Sequence, residues 1–233
     1  MNRLDSEMLT ERIGYRYRNP ELLKQALMHT SYANEVKVKK LGSYERIEFL
    51  GDAVLEMVSS EYFYRTFPDE TEGSLTKMRA AAVCEQALAL TARNLGLGEF
   101  ILFGKGEELT GGRERDSILA DVVEAIIGSI YLDSGLDKAS EFIYRFVLND
   151  LDKKKLFYDA KSILQEKLQQ MGKPELTYEM ISESGPEHDK EFVMRAVAGG
   201  VTLGQGSGHS KKNAQQQAAY EALSHEEEWI EKI

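Results

Sequence analysis

The sequence predicts two units of different class: an all-α domain over residues 1–152, then a small α+β module over residues 160–229 with the element order α-β-β-β-α. Three observations carry this expectation. As far as Leu151 the apolar residues recur at helical spacing. From Leu176 to Gly206 they fall instead in short segments of β-type residues, punctuated by Ser184-Gly185-Pro186 and Gly199-Gly200. The run Lys153-Lys154-Lys155 marks the boundary, and residues 153–159 are expected to form a short flexible linker.

Within the first unit, Leu9, Ile13, Leu22, Leu23, Ala26 and Leu27 predict two short helices separated around Asn19-Pro20, where proline favours a helix start. His29 follows and reads as a helix-end histidine bonded to backbone. Asn34 to Ser43 is a polar loop. Ile47, Leu50, Val54, Leu55 and Val58 then give the next helix one buried face. After a turn at Phe67 to Gly73, Ser74 is placed to cap a helix over Leu75 to Leu95, which leaves Glu72 in the loop ahead of it. Gly96 to Gly112 reads as a glycine-rich loop system with little regular structure. Helices return over Ser117 to Leu132 and Leu136 to Leu151.

In the second unit, Ile163, Leu164 and Leu168 share one side of a helix from Ala160 to Met171, stopped by Gly172-Lys173-Pro174. Strands are expected over Leu176 to Ser182, Glu191 to Ala198 and Val201 to Gly206, the last two as a hairpin. A final helix runs from about Ser210 to Leu223.

With 233 residues of which 42% are hydrophobic, the chain has ample material for two packed cores. No apolar run approaches the ~20 residues of a membrane span, and Met1 to Arg12 carries charges throughout, unlike a secretory signal. Cys84 stands alone and allows no internal disulfide. A cytoplasmic, reducing setting with no membrane partner is the expectation. The net charge of −10 argues against a polyanion as partner unless local clusters provide the contacts.

The acids carry the chemistry. Glu45, Glu48 and Asp52 stand at i, i+3 and i+7, on one side of a helix, where like charges repel. Asp121 and Glu124 stand at i, i+3 inside an otherwise apolar helix, and acids are rarely buried unless paired or metal-bound. If the two helices pack together, four or five carboxylates converge, and such oxygen-rich clusters select hard cations such as Mg²⁺ or Mn²⁺. The alternative is that these acids form solvated faces neutralised by Arg46, Lys77 or Arg79. In the second unit, Lys211 and Lys212 fall in the first turn of the last helix, where the dipole disfavours cations and a phosphate would resolve the conflict.

Glu45-Arg46-Ile47-Glu48-Phe49-Leu50-Gly51-Asp52-Ala53-Val54-Leu55 resembles the signature of the ribonuclease III family, with Ile47 where leucine is commoner. Ser117 to Gly135 is similar to that family's second acidic helix. The C-terminal module resembles a double-stranded-RNA-binding domain, at Gly185-Pro186-Glu187-His188 and at Gly208-His209-Ser210-Lys211-Lys212-Asn213-Ala214. The resemblance implies an all-α endonuclease domain followed by a small α+β double-stranded-RNA-binding domain. It implies a Mg²⁺-dependent endoribonuclease, with Mn²⁺ as a possible substitute, that hydrolyses double-stranded RNA to 5′-phosphate and 3′-hydroxyl ends with short 3′ overhangs. Precursors of rRNA and other structured transcripts would be its substrates.

On this resemblance Glu48, Asp52, Asp121 and Glu124 are metal ligands, with Asp52 and Glu124 catalytic, and Glu45 and Glu72 are outer, substrate-related acids. A homodimer is implied, with Phe49 facing the partner. Gln165, Glu166 and His188 would reach successive minor grooves, and Lys211 and Lys212 the phosphates between them. The net negative charge of the RNA-binding module departs from the family's pattern and bears on affinity. Two other readings are a non-catalytic RNA-binding dimer and a helical metal-dependent phosphohydrolase acting on nucleotides. Buried acids at Asp121 and Glu124 speak against the first, and the absence of a Lys-Ser/Thr after Gly111-Gly112 speaks against a phosphate-cradling loop.

Overall fold

The computed structural model describes residues 3–36, 42–149, 151, 160–185, 190–208 and 210–233. Contacts divide the chain into residues 1–149 and 150–233. The expected linker, residues 153–159, lies outside the described residues.

Among its described residues the first unit is built of helices: α1 (Arg3–Ile13), α2 (Pro20–Ala26), α3 (Thr30–Glu35), α4 (Glu45–Thr66), α5 (Glu72–Val83), α6 (Glu85–Asn94), α7 (Lys105–Leu109), α8 (Asp116–Ser134) and α9 (Leu136–Phe142), the last continuing into a π-helical turn at Ile143–Val147. The centre is α8. Its Val122, Val123, Ala125, Ile126, Ile127 and Ile130 are fully buried, as expected of a helix that is apolar nearly all round. Packed around it are α2, α4, α6 and α9. The closest approach is to α4, where Gly51 and Gly128 face each other with backbone against backbone.

Local sequence chemistry explains where the expected boundaries move. The N-terminal region holds three helices, because His29 caps a separate α3 by accepting a hydrogen bond from the Ser31 N–H. The helix expected over Leu75 to Leu95 is broken at Cys84, whose extended backbone (φ −68°, ψ 162°) separates α5 from α6. Thr71, rather than Ser74, caps α5, its hydroxyl accepting from the Ser74 N–H. Glu72 is therefore the first residue of a helix and not a loop acid. The region from Gly96 to Gly112 is more ordered than its glycines suggest: it contains a 3₁₀ turn at Leu97–Phe100 and α7. Arg113 pins it by donating to the carbonyls of Gly98 and Ile101.

The second unit comprises α10 (Ala160–Gln170), an antiparallel sheet of β1 (Thr177–Ser184), β2 (Glu191–Ala198) and β3 (Val201–Gly208) in that order, α11 (Lys211–Ser224) and α12 (Glu226–Trp229). A one-residue irregularity in β1 between Met180 and Ser182 shifts its register with β2. Gly204 and Gly206 on β3 lie against α11 so closely that a Cβ on either would come within 2.4 Å of a helix backbone nitrogen. Ala218, Ala219 and Ala222 complete that contact, and Leu164, Leu168, Leu203 and Trp229 fill the remaining core. Trp229, 2% exposed, belongs to the short helix past the last expected element, and its indole N–H donates to the Ala222 carbonyl at 2.7 Å.

Candidate active site

Glu48 sits in the first turn of α4 because the carbonyl of Tyr44 accepts its N–H and starts the helix there. Asp121 and Glu124 project one turn apart from α8. The Gly51–Gly128 contact brings the two helices close enough for these side chains to meet: one carboxylate oxygen from each of Glu48, Asp121 and Glu124 lies within 4.8 Å of the others. All three are half-buried. Among the described residues no salt bridge reaches any of them. Arg79 pairs with Glu56 at 3.0 Å and donates to Ser60, and Arg115 pairs with Glu107 at 2.6 Å. Of the cations that could neutralise these faces, Arg79 is engaged by Glu56, and among the described residues no salt bridge from Arg46 or Lys77 reaches the three acids.

Crowding of like charges shows in the acid strengths. Burial, then the charges of Asp52, Asp121, Glu48 and Glu56, push the Glu124 carboxyl up to about 8. Burial, then Asp121, Glu45 and Asp52, push Glu48 up to about 7. Asp121 is raised by burial too, but a hydrogen bond from Tyr44 opposes the shift. That phenol donates to Asp121 Oδ2 at 3.1 Å from a ring that is 3% exposed. Like-charged carboxylates held together without a counterion favour either a proton or a cation.

An octahedral ion with oxygens at about 2.1 Å spans about 4.2 Å between opposite ligands. Adjacent ligands of such an ion stand about 3.0 Å apart, so oxygens within 4.8 Å of one another must close by up to about 1.8 Å, by rotation of the carboxylate side chains. The donor set therefore fits a hard divalent cation. Beside it a cleft of about 530 Å³ opens between His29, Tyr44, Glu45, Arg115 and Ser117.

The other expected site residues fall into distinct places. Asp52 is exposed one turn beyond Glu48. It lies outside the trio of converging oxygens, yet it is the strongest charge acting on Glu124. Glu45 lines the cleft and accepts from the Ser43 hydroxyl at 3.0 Å. Glu72 is exposed and accepts from the Thr76 hydroxyl at 3.1 Å. Phe49 is 78% exposed on α4. Ala53, Met57, Ser60 and Tyr64 continue from it along the helix at steps of four, four, three and four residues, a stripe on one face. In the second unit Gln165 and Glu166 are exposed on α10, and Lys211 and Lys212 are exposed in the first turn of α11, capped by Ser210. The Lys211 ammonium lies 5.8 Å from the centre of the Phe192 ring. His188 lies outside the described residues.

Sequence reasoning passed over Tyr44 altogether, and it assigned His29 only its capping bond, not a place beside the acids. No spacing rule relates either to Asp121, since the link is made across the fold.

Known proteins match both units in this order. The family model for Ribonuclease-III-like domains matches residues 19–151, and the model for the double-stranded RNA binding motif matches residues 160–226. The chain belongs to the ribonuclease III family. Ribonuclease 3 of Desulforamulus reducens is 50% identical over 220 residues, covering 93% of this chain and 89% of that protein. Ribonuclease 3 of Bacillus cereus is 48% identical over 219 residues, with the same coverage. Among solved structures, the nuclease domain of ribonuclease III from Campylobacter jejuni superposes with a TM-score of 0.57 at 43% identity, covering 60% of this chain and 94% of that one. That structure describes flexibility in a region involved in dimer formation. As a family member the chain is an endoribonuclease that joins a helical nuclease domain to an RNA-binding domain. Among the described residues no helix is long and apolar enough to cross a membrane.

Proposed function

We propose that the protein hydrolyses double-stranded RNA with Glu48, Asp121 and Glu124 as ligands of Mg²⁺. The observation that carries this reading is the convergence of their oxygens, from two helices, to within 4.8 Å with no cationic side chain among them. When bound, Mg²⁺ supplies positive charge against the charge developing on the phosphate and makes water a better nucleophile near neutral pH. Mn²⁺ prefers the same oxygen donors and serves as a substitute.

Asp52, exposed beside Glu124, orients the attacking water and accepts its proton. Attack of that water on phosphorus forms a P–O bond as the bond to the 3′ oxygen breaks, and the 3′ oxygen takes a proton from a solvent water as it leaves. The ends are a 5′-phosphate and a 3′-hydroxyl. Glu45, on the wall of the cleft, and Glu72, in the first turn of α5, bear on the substrate outside the metal site. A homodimer with Phe49 and its apolar stripe at the interface brings two such sites to one duplex, so that each strand is cut once and short 3′ overhangs result. Gln165, Glu166 and His188 reach minor grooves, and Lys211 and Lys212 meet the phosphates between them, reading shape more than sequence. Structured transcripts such as rRNA precursors, in the cytoplasm, fit this specificity.

The test is a labelled duplex RNA incubated with wild type and with Glu124→Gln, with and without Mg²⁺, scoring cleavage and retained binding. Cleavage by wild type with Mg²⁺ alone, with binding kept by the variant, is the expected result. Normal cleavage by the variant, or cleavage by wild type in chelator, overturns the assignment.

A further inference from the structure

Tyr44 touches both helices of the site and belongs to neither ligand set. Its carbonyl accepts the N–H of Glu48 at 2.9 Å, and of Ile47 at 2.8 Å, so it fixes where α4 begins and hence where the Glu48 side chain emerges. Its phenol donates to Asp121 Oδ2 at 3.1 Å, on α8. One residue thus sets the backbone of one carboxylate and the rotamer of another, 77 positions away in sequence.

The residue is itself held through its backbone and its ring. Its N–H donates to the Met28 carbonyl at 2.9 Å, in the segment where Met28 pairs with Leu102. Its ring is buried and packs against His29, with ring centres 5.8 Å apart. His29 is anchored in turn: its N–H donates to the Leu102 carbonyl at 3.1 Å, its Nδ1 accepts from the Ser31 N–H, and its ring meets Phe103 at 5.2 Å. With the backbone and ring held in this way, the hydroxyl at the edge of the cleft reaches Asp121.

We propose that Tyr44 is a positioning residue for the metal site: its hydroxyl holds Oδ2 of Asp121 and so fixes the orientation of that carboxylate, while its carbonyl holds Glu48 in register. The proposal rests on the assignment of Glu48, Asp121 and Glu124 as ligands. Partners of this outer kind orient ligands and typically change metal affinity by 10–100-fold when removed.

The decisive variant is Tyr44→Phe, which deletes the hydroxyl and keeps the buried ring. Metal-free full-length protein is titrated with MnCl₂ alone, bound Mn²⁺ is read by electron paramagnetic resonance, and Glu124→Gln serves as reference. The Mg²⁺ concentration for half-maximal cleavage and the affinity for duplex RNA in chelator are measured alongside. The expected result is Mn²⁺ affinity weakened about tenfold, a matching rise in the Mg²⁺ midpoint, a cleavage deficit that shrinks as Mg²⁺ is raised, and RNA affinity in chelator at the wild-type value. Wild-type Mn²⁺ affinity in Tyr44→Phe overturns the proposal. So does a cleavage loss that is the same at every Mg²⁺ concentration, which indicates packing alone. If wild type itself binds no Mn²⁺, or binds as Glu124→Gln does, the ligand assignment fails first and Tyr44 falls with it.

Discussion

Gly51 of α4 and Gly128 of α8 lie backbone to backbone: a Cβ on Gly51 would stand 1.8 Å from the Glu124 carbonyl oxygen, and one on Gly128 would stand 2.3 Å from the carbonyl oxygen of Ile47. No L side chain fits there. The contact is also what carries Glu48 to Asp121 and Glu124, since each acid projects from one of the two helices. Gly51→Ala must push the helices apart. Overpacking of this kind costs about 1–3 kcal/mol, and a displacement of about 1 Å at reacting groups can cost 10²-fold in rate. Chemical denaturation and cleavage assays should both register the loss. Gly51→Ala with wild-type stability and activity would contradict the geometry.

The acid cluster predicts a pH dependence of the metal-free protein. Glu48 and Glu124 titrate at about 7 and about 8 in the folded chain, above their ordinary value of 4.5. A carboxyl with a raised folded pKa binds its proton more tightly in the native state. Its contribution to stability is therefore fully present below about pH 4.5 and is lost as pH rises through 7 and 8. Thermal melts of metal-free protein should fall in Tm from pH 6 to pH 9, and Mg²⁺ should raise Tm more at pH 8.5 than at pH 6. Equal Mg²⁺ shifts at both pH values would count against the site.

On the proposed RNA contacts, few phosphates are met, with Lys211 and Lys212 prominent among those that meet them. Lys211→Ala/Lys212→Ala should lower the slope of log affinity against log salt by up to about 1.8, since each released counterion contributes about 0.9. Binding titrations of duplex RNA at several salt concentrations measure this. An unchanged slope places the lysines away from the RNA.

Phe49→Asp tests the exposed stripe on α4. On the proposed homodimer, a charge on this face should shift the protein to monomers in sedimentation and reduce cleavage at least tenfold, as for loss of an aromatic interface anchor. A variant that remains dimeric removes Phe49 from the interface.

Trp229 closes the core of the second unit from beyond its last long helix. Trp229→Ala should destabilise that unit by about 3–5 kcal/mol, seen as an earlier calorimetric transition and weaker RNA binding. A melt identical to wild type would show the indole to be dispensable.

Much of this was legible in the chain because local spacing and local function coincide. Asp121 and Glu124 stand at i, i+3 in a helix too apolar to carry solvated acids, and that contrast is visible without a structure. The alternation that separates the second unit from the first is equally local. The selection of Glu48, Asp121 and Glu124 as the converging trio, with Asp52 outside it, was hidden because it depends on how closely Gly51 lets α4 approach α8. The bond from Tyr44 to Asp121 was hidden for the same reason. The break at Cys84 was missed because nothing at that residue forbids a helix, and Trp229 because a single aromatic after a helix carries no pattern.

The central claim is that three carboxylates hold one divalent ion, and the most direct test is a crystal of the protein soaked in MnCl₂, with anomalous scattering measured at the manganese edge. The account predicts a peak at about 2.0–2.3 Å from one oxygen each of Glu48, Asp121 and Glu124. A peak elsewhere on the protein, or none between these three residues at saturating Mn²⁺, would contradict it.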